Sequence, residues 1–205
     1  MTPHVTAASL PPGRAAVPDP ADLITIRSAC MLGVRVTARA VLNAAEHRRR
    51  RSSGLGPVTH PALLRRLLEA PAVGPARDPA WWAETSLLPA GIVRRGDDGR
   101  TVTRLLQPPL VLDDVVVAAP RRQELRAVQQ ASLFAGFAAR WGAVTRDAVP
   151  VTVMLEAAYF GVGLLAPGSR VLLPAAEPDP QPPDEWAWLL AEKAYQRWLA
   201  ENTAG

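Results

Sequence analysis

The most suggestive pair for catalysis is an acid and a phenol three positions apart in an apolar segment. Glu156 and Tyr159 fall within residues 149–165, where nearly all other side chains are apolar or small. A buried, unpaired carboxyl group holds its proton more tightly than one in water, which suits general acid–base catalysis. In the competing interpretation, an arginine of the preceding helix, such as Arg126 or Arg140, pairs with Glu156. Because one acid without a second acid, a histidine or a metal ligand does not make an active site, the sequence favours a non-enzymatic protein.

The second candidate chemistry is phosphate binding by arginine. A run of four arginines follows a predicted helix, and four more lie on a predicted β-hairpin: Arg48, Arg49, Arg50, Arg51, Arg94, Arg95, Arg100 and Arg104. Guanidinium groups bind phosphate through charge-assisted hydrogen bonds, and affinity for a nucleic-acid backbone then falls steeply with salt. The alternative is a solvated basic surface, since cations are also favourable near a helix C-terminus.

Charge is divided unevenly along the chain. Residues 1–110 contain 15 arginines and 8 acids, whereas residues 111–205 contain 8 basic and 11 acidic side chains. A basic half favours phosphate or acidic partners. Cys30 is the only cysteine, which excludes an internal disulfide and a thiolate zinc site and is typical of a reducing compartment. We therefore expect a cytoplasmic protein without a metal or a cofactor.

Two other motifs resemble metal or phosphate sites only superficially. Asp113 and Asp114 are adjacent, and adjacent residues of a strand point to opposite faces, so the two cannot share one ion. Gly161, Gly163 and Gly168 do not have the spacing of a phosphate-binding loop, and close helix packing explains them better.

A candidate protein-binding element lies at the C-terminus. Residues 184–205 follow a proline-rich tether at 177–183 and predict an amphipathic helix with Trp188, Tyr195 and Trp198 on one side. Such helices dock into grooves of partner proteins, and tryptophan is favoured at the centres of interfaces. The alternative is that the helix folds back onto its own domain.

The elements of the first half must position the arginines. Apolar residues at mixed three- and four-residue spacings predict a long helix over about 22–50, although Val34 and Val36 alternate with polar neighbours and leave a strand as the alternative. Short helices are predicted from Pro61 and over 78–89, each opened by a capping residue and a proline.

The Gly-Asp-Asp-Gly sequence at 96–99 predicts a tight turn between strands at 92–95 and 100–105. Helices followed by an arginine-bearing hairpin are the order of a winged helix, which reads DNA with one helix and contacts the backbone with the hairpin. The helix over 78–89 would be the reading helix, but it has no basic side chain, Asn or Gln with which to contact base edges. This order therefore favours backbone contact over specific reading.

In the second half, the pattern predicts a strand at 111–118, a helix over 120–141 ended by Gly142, and a helix over 150–165 that is apolar on nearly every face. We expect that last helix to be the buried centre of the domain. A short strand at 171–173 precedes the tether and the terminal helix.

Together these patterns predict a mostly helical α+β protein with a disordered leader (1–20), a small basic N-terminal region with a β-hairpin (21–108) and a helical C-terminal domain (109–205). The leading hypothesis is a cytosolic binding or regulatory protein that contacts nucleic-acid backbone through its arginines. A protein-interaction component that uses the terminal helix is the alternative, and an enzyme that uses Glu156 is the third. No membrane contact is expected, because the longest apolar run is shorter than the roughly 20 residues that span a bilayer.

Overall fold

The computed structural model describes residues 22–69, 88, 91–97, 102–119, 123–178 and 184–203. Within these ranges the chain forms eight strands and five α-helices. The strands are β1 (Leu23–Met31), β2 (Val34–Leu42), β3 (Val93–Arg95), β4 (Val102–Arg104), β5 (Leu110–Ala118), β6 (Ala139–Ala143), β7 (Gly163–Ala166) and β8 (Arg170–Leu173). The helices are α1 (Ala44–Ser53), α2 (Pro61–Glu69), α3 (Glu124–Ser132), α4 (Val151–Tyr159) and α5 (Glu185–Thr203).

Six strands form one mixed sheet in the order β1-β2-β5-β6-β7-β8, while β3 and β4 form a separate pair. The strands β5, β6 and β7 are parallel to one another, and the remaining neighbours are antiparallel. Parallel neighbours need a crossover connection, which α3 and α4 provide. The prediction of a mostly helical protein with a helical C-terminal domain is therefore wrong, because four strands of this sheet come from residues 109–205.

The predicted long helix over 22–50 is mostly an antiparallel pair of strands. A tight turn connects β1 to β2, and both of its central residues, Leu32 and Gly33, have positive φ, at 51° and 76°. Positive φ at both positions matches the right-handed twist of a hairpin. Along β2, Val34 and Val36 are buried while Arg35 and Thr37 are exposed. This period-2 pattern, which had left the strand as an alternative, is the one that the fold uses.

Two helices predicted in the second half are shorter than expected, because each is followed by a strand of the sheet. The helix predicted over 120–141 is α3, and Gly142 lies inside β6, paired with Leu164 of β7, instead of ending a helix. The segment predicted as one helix over 150–165 forms a shorter helix, α4, followed by the strand β7. Its expected place at the buried centre is also wrong, since Val151, Leu155 and Tyr159 are exposed on α4.

Several local predictions are confirmed. Helix α2 begins at Pro61, β3 pairs with β4 as the hairpin requires, β5 and β8 match the predicted strands, and α5 matches the terminal helix. Four predicted features lie outside the described residues: the leader (1–20), the helix over 78–89 except residue 88, the turn residues 98–100, and most prolines of the tether, at 179–183.

The buried apolar side chains form two clusters. The larger cluster lies between the six-stranded sheet and helices α3, α4 and α5. The smaller one joins the hairpin to α2 and α5, through residues that include Leu64, Leu67, Ile92, Leu106 and Trp188. Helix α5 contributes to both clusters, so the terminal helix holds the hairpin region against the sheet. None of the described helices has the length and apolarity needed to cross a bilayer.

Candidate nucleic-acid interface and the buried arginine

The four consecutive arginines lie inside the last turns of α1. Asn43 caps the start of this helix, where its side-chain Oδ1 accepts a hydrogen bond from the Glu46 amide at 3.1 Å, and Gly54, with φ 65°, caps its end. Because an α-helix turns by about 100° per residue, four consecutive side chains cannot share one face. The helix therefore directs some of these arginines inward and others to the solvent.

Arg50 is directed inward and its side chain is fully buried. Its Nη1 and Nη2 donate to the two carboxylate oxygens of Glu192 at 2.8 and 2.7 Å. Its Nε donates to Glu46 at 2.8 Å, and Nη2 also donates to the Gln107 carbonyl at 2.9 Å. The Tyr195 ring lies 5.4 Å from the guanidinium carbon. Paired, charge-assisted hydrogen bonds of this kind are roughly twice as strong as bonds between neutral groups.

Glu192 is equally enclosed, with a side chain that is 0% exposed. Besides Arg50, it accepts hydrogen bonds from the Val58 amide at 2.9 Å and from the Trp188 indole at 3.0 Å. Removing two charges from water costs more than their attraction returns unless further hydrogen bonds satisfy them. Here α1, α5 and the segments at 58 and 107 supply those bonds, so the pair joins four parts of the chain.

Arg49 completes the inner network. It donates two hydrogen bonds to Glu46, both at 2.7 Å, and one to the Gly91 carbonyl at 2.6 Å. Burial raises the pKa of Glu46, but the hydrogen bonds from Arg49 and Arg50 outweigh that effect and leave the pKa below its ordinary value. The carboxylate of Glu46 is therefore ionised at neutral pH, and both of its oxygens accept hydrogen bonds from arginine. We call Glu46, Arg49, Arg50 and Glu192 the inner ion cluster.

The outward side of α1 carries Arg48 and Arg51, both of which are exposed. They are three positions apart and so lie near one another on the helix surface. Within the described residues, neither has a carboxylate partner. Beside them, His47 contacts the Tyr195 hydroxyl through Nδ1 at 2.8 Å and packs edge-on against Trp198. Burial, followed by the charges of Arg51 and Arg48, lowers the pKa of His47.

The hairpin arginines also occupy unlike environments. Arg94 is exposed. Arg104 is half-buried, donates to the Leu67 carbonyl at 3.0 Å and lies over the Trp188 ring at 5.5 Å. Burial lowers the pKa of Arg104. The side chain of Arg95 and all of Arg100 are outside the described residues. Of the eight arginines predicted to bind nucleic acid, Arg48, Arg51 and Arg94 are the ones that the structure shows exposed.

The three aromatic residues predicted to bind a partner lie along the inner side of α5. Trp188 and Tyr195 are buried, and Trp198 is partly buried beside His47. The terminal helix therefore folds back onto its own domain, which was the alternative to docking on a partner. Trp186, which is 50% exposed, is the aromatic residue of this helix that faces solvent most fully.

The candidate catalytic pair is not gathered with other reactive groups. Tyr159 is 83% exposed and contacts Phe160, and Glu156 is half-buried on the same helix. Arg140 donates to the Phe160 carbonyl at 3.1 and 2.7 Å, and no ion pair joins it to Glu156. Asp114 is buried and paired with Arg39. In the described ranges, no three His, Cys, Asp or Glu side chains are grouped as metal ligands.

Sequence reasoning missed a groove of about 420 Å³ between β2, β5 and α3. We call it the outer groove; its lining includes Ser28, Arg35, Thr37, Val116, Ala118 and Arg126. The alternation of Arg35 and Thr37 on β2 was the available signal, but it becomes informative only once β2 is known to be a strand beside β5.

No protein-family model matches this sequence, no curated protein is similar to it, and no solved structure matches its fold. An assignment of function therefore depends on the side chains and geometry described above.

Proposed function

We propose that this protein is a non-enzymatic cytosolic binding protein that contacts the phosphate backbone of nucleic acid with its exposed N-terminal arginines. The observation that carries the proposal is the division of charge on α1. Glu46 is the one acid in this helix, and it is turned inward and held by Arg49 and Arg50. Arg48 and Arg51 therefore face the solvent without an acid on the same helix to neutralise them.

The size of the competing electrostatic effects favours phosphate contact. The C-terminal end of a helix carries about half a negative charge, which disfavours phosphate, but two full arginine charges exceed it. Each phosphate contact releases a counterion, so two contacts give a salt dependence with a slope of about −1.8 in log K against log salt. Arg94 is exposed and supplies a further candidate contact.

Fluorescence anisotropy with labelled random-sequence duplex DNA, at about 50 and 200 mM salt, tests the proposal. We expect the double substitution Arg48→Gln and Arg51→Gln to weaken binding and to make the salt slope shallower by about 1.8. The matched control is Arg65→Gln with Arg170→Gln. It removes the same charge, but Arg65 and Arg170 are already paired with Glu185 and Asp147.

The control should keep most of the affinity and of the salt slope. Equal weakening in both double variants would mean that net charge alone drives association, and absence of binding by the parent protein at low salt would end the proposal. Because all four arginines are at least partly exposed and lie outside the inner ion cluster, circular dichroism should show that both variants remain folded.

The alternative proposal, a partner protein bound by the terminal helix, has less support. Trp188 and Tyr195 are buried against the rest of the chain and are not available to a partner without unfolding. Trp186 is exposed, and a substitution Trp186→Ala that changed the oligomeric state or partner profile would favour this alternative.

A further inference from the structure

We infer that the outer groove is a second binding site, which holds a small organic phosphate between Arg35 and Arg126. Arg35 belongs to β2 and Arg126 to α3, so the two arginines that line the groove come from different elements. Val116 and Ala118 of β5 also line it and offer apolar surface for the organic part of the ligand. This site is separate from the surface of α1 and shares no residue with it.

The groove lies at the end of the sheet where β2 and β5 separate, because the pairing of the two strands stops at Thr37 and Val116. Arg35 and Thr37 are two positions apart on β2 and so project from the same face of the sheet. Thr37 pairs with Val116, which makes β5 the strand beside them. Arg126 and Gln130 are four positions apart on α3 and share one side of that helix. Helix α3 covers the face of the sheet opposite to Arg35 and Thr37, since its Ala127 lies beside Gly142 of β6. It follows β5 directly in the chain, so Arg126, in the first turn of α3, lies at this end of the sheet.

The charge of the outer groove is not neutralised from within the described residues. No acidic side chain in that part of the chain lines it, and neither arginine has a carboxylate partner there. Among the described residues, the hydrogen bond of the Arg126 side chain is a long one, 3.4 Å, to the Gln123 amide oxygen. On the same strand, Arg39 shows the opposite case, since it is paired with Asp114.

A second groove provides a useful contrast. It has a volume of about 590 Å³ and is lined by residues that include Arg27, Arg197, Trp198 and Glu201. In that groove Arg197 is bonded to Glu201 at 2.9 Å, and the Arg27 amide also donates to Glu201. An anion would therefore have to compete with a carboxylate there, whereas the described lining of the outer groove contains none.

The size and lining of the outer groove fit a small ligand. A volume of about 420 Å³ lies within the range of roughly 300–1,000 Å³ that small-molecule sites occupy. Ser28 and Thr37 supply hydroxyl groups. Ser28 has φ 49°, a backbone conformation that is unfavourable for residues other than glycine. It lies at the bulge of β1 between Ile26 and Ala29. The bulge is what places Ser28 at the groove.

Titration of the full chain with adenosine monophosphate and, separately, with inorganic phosphate tests this inference, by calorimetry and by amide chemical shifts. We expect saturable binding of the nucleotide and weaker binding of inorganic phosphate, which has no apolar part. Arg35→Gln with Arg126→Gln should weaken nucleotide binding at least about tenfold, since two charge-assisted hydrogen-bond donors are lost. Ala118→Trp should also block it, because the exposed alanine gives way to a ring that fills the groove without changing its charge.

The variant Arg48→Gln with Arg51→Gln separates this inference from the proposed function. It should lose DNA binding and keep nucleotide binding. The groove variants should lose nucleotide binding and keep DNA binding. The inference is overturned if nucleotide binding is not saturable below about 10 mM or is unchanged in both groove variants. It is overturned equally if the groove variants lose only DNA binding, which would make the groove part of a nucleic-acid surface.

Discussion

Arg50 and Arg48 are two residues apart on α1, yet one is among the most buried side chains of the protein and the other is exposed. Arg50 donates four hydrogen bonds, three of them to carboxylates, whereas Arg48 has no carboxylate partner among the described residues. The same side chain is thus a structural group in one position and a candidate ligand-binding group in the other. Counting arginines along the sequence cannot separate these roles.

The energetic consequences should differ as strongly as the environments. Removing one partner of a buried ion pair leaves the other charge buried and uncompensated, which costs about 3–5 kcal/mol. Exposed ion pairs contribute about 0–1 kcal/mol, because water and salt screen them. The inner ion cluster and the outward arginines therefore make a direct comparison possible within one helix.

The largest effect is expected for Arg50→Met, which keeps a long side chain but removes the charge between Glu46 and Glu192. The free energy of unfolding, measured by urea denaturation, should fall by about 3–5 kcal/mol. Arg48→Met on the same helix is the matched control and should change it by no more than about 0.5 kcal/mol. Similar losses in the two variants would show that Arg50 does not hold the inner ion cluster together.

A smaller effect on the free energy of unfolding is expected from titration of His47, which lies on α1 beside the exposed Arg48 and contacts the buried Tyr195. Burial and the neighbouring arginines lower its pKa in the folded state, so between the folded and the unfolded pKa the unfolded chain binds more protons. Stability should therefore decrease as the pH falls through about 6.5. We expect the free energy of unfolding to be lower at about pH 5.5 than at about pH 7.5.

The substitution His47→Gln should reduce this pH dependence while retaining a polar partner for the Tyr195 hydroxyl. The chosen range lies above the pH at which Glu46 titrates, since the pKa of that carboxyl is itself lowered. If the parent and the variant have the same slope between the two pH values, a different group is responsible.

The smallest effect is expected for Arg170→Ala, which removes an exposed ion pair with Asp147 at 2.7 Å. The side chains are 57% and 75% exposed, so the free energy of unfolding should change by less than about 0.5 kcal/mol. Denaturation under the same conditions as for Arg50→Met makes the two values comparable. A loss above about 2 kcal/mol would remove the distinction between inner and outer arginines.

Local signals in the sequence predicted some elements well. Pro61 marks the first turn of α2, and Asp184 caps α5 by accepting a hydrogen bond from the Ala187 amide at 2.6 Å. The pairing of β3 with β4 followed from a turn sequence between two short β-branched segments. These features depend on neighbours within a few residues, which a sequence pattern contains.

The central sheet could not be predicted in the same way. β6 has the sequence Ala-Arg-Trp-Gly-Ala, which carries no strong strand signal, and it is a strand because β5 and β7 lie on either side of it. Gly163 of β7 is pressed against the Trp141 ring, so a side chain there would collide with it. Pairing with distant segments overrides local propensity in such strands.

The amino-acid sequence by itself determined the basic first half, the single cysteine, the hairpin and the amphipathic terminal helix. Only the tertiary structure decided which arginines are enclosed, because the carboxylate that holds Arg50 is Glu192, 142 positions away. It also decided that Arg35 and Arg126 line one groove, because β2 pairs with β5 and α3 follows β5 in the chain. Charge is a property of composition, but the environment of each charge depends on contacts between segments that are far apart in the chain.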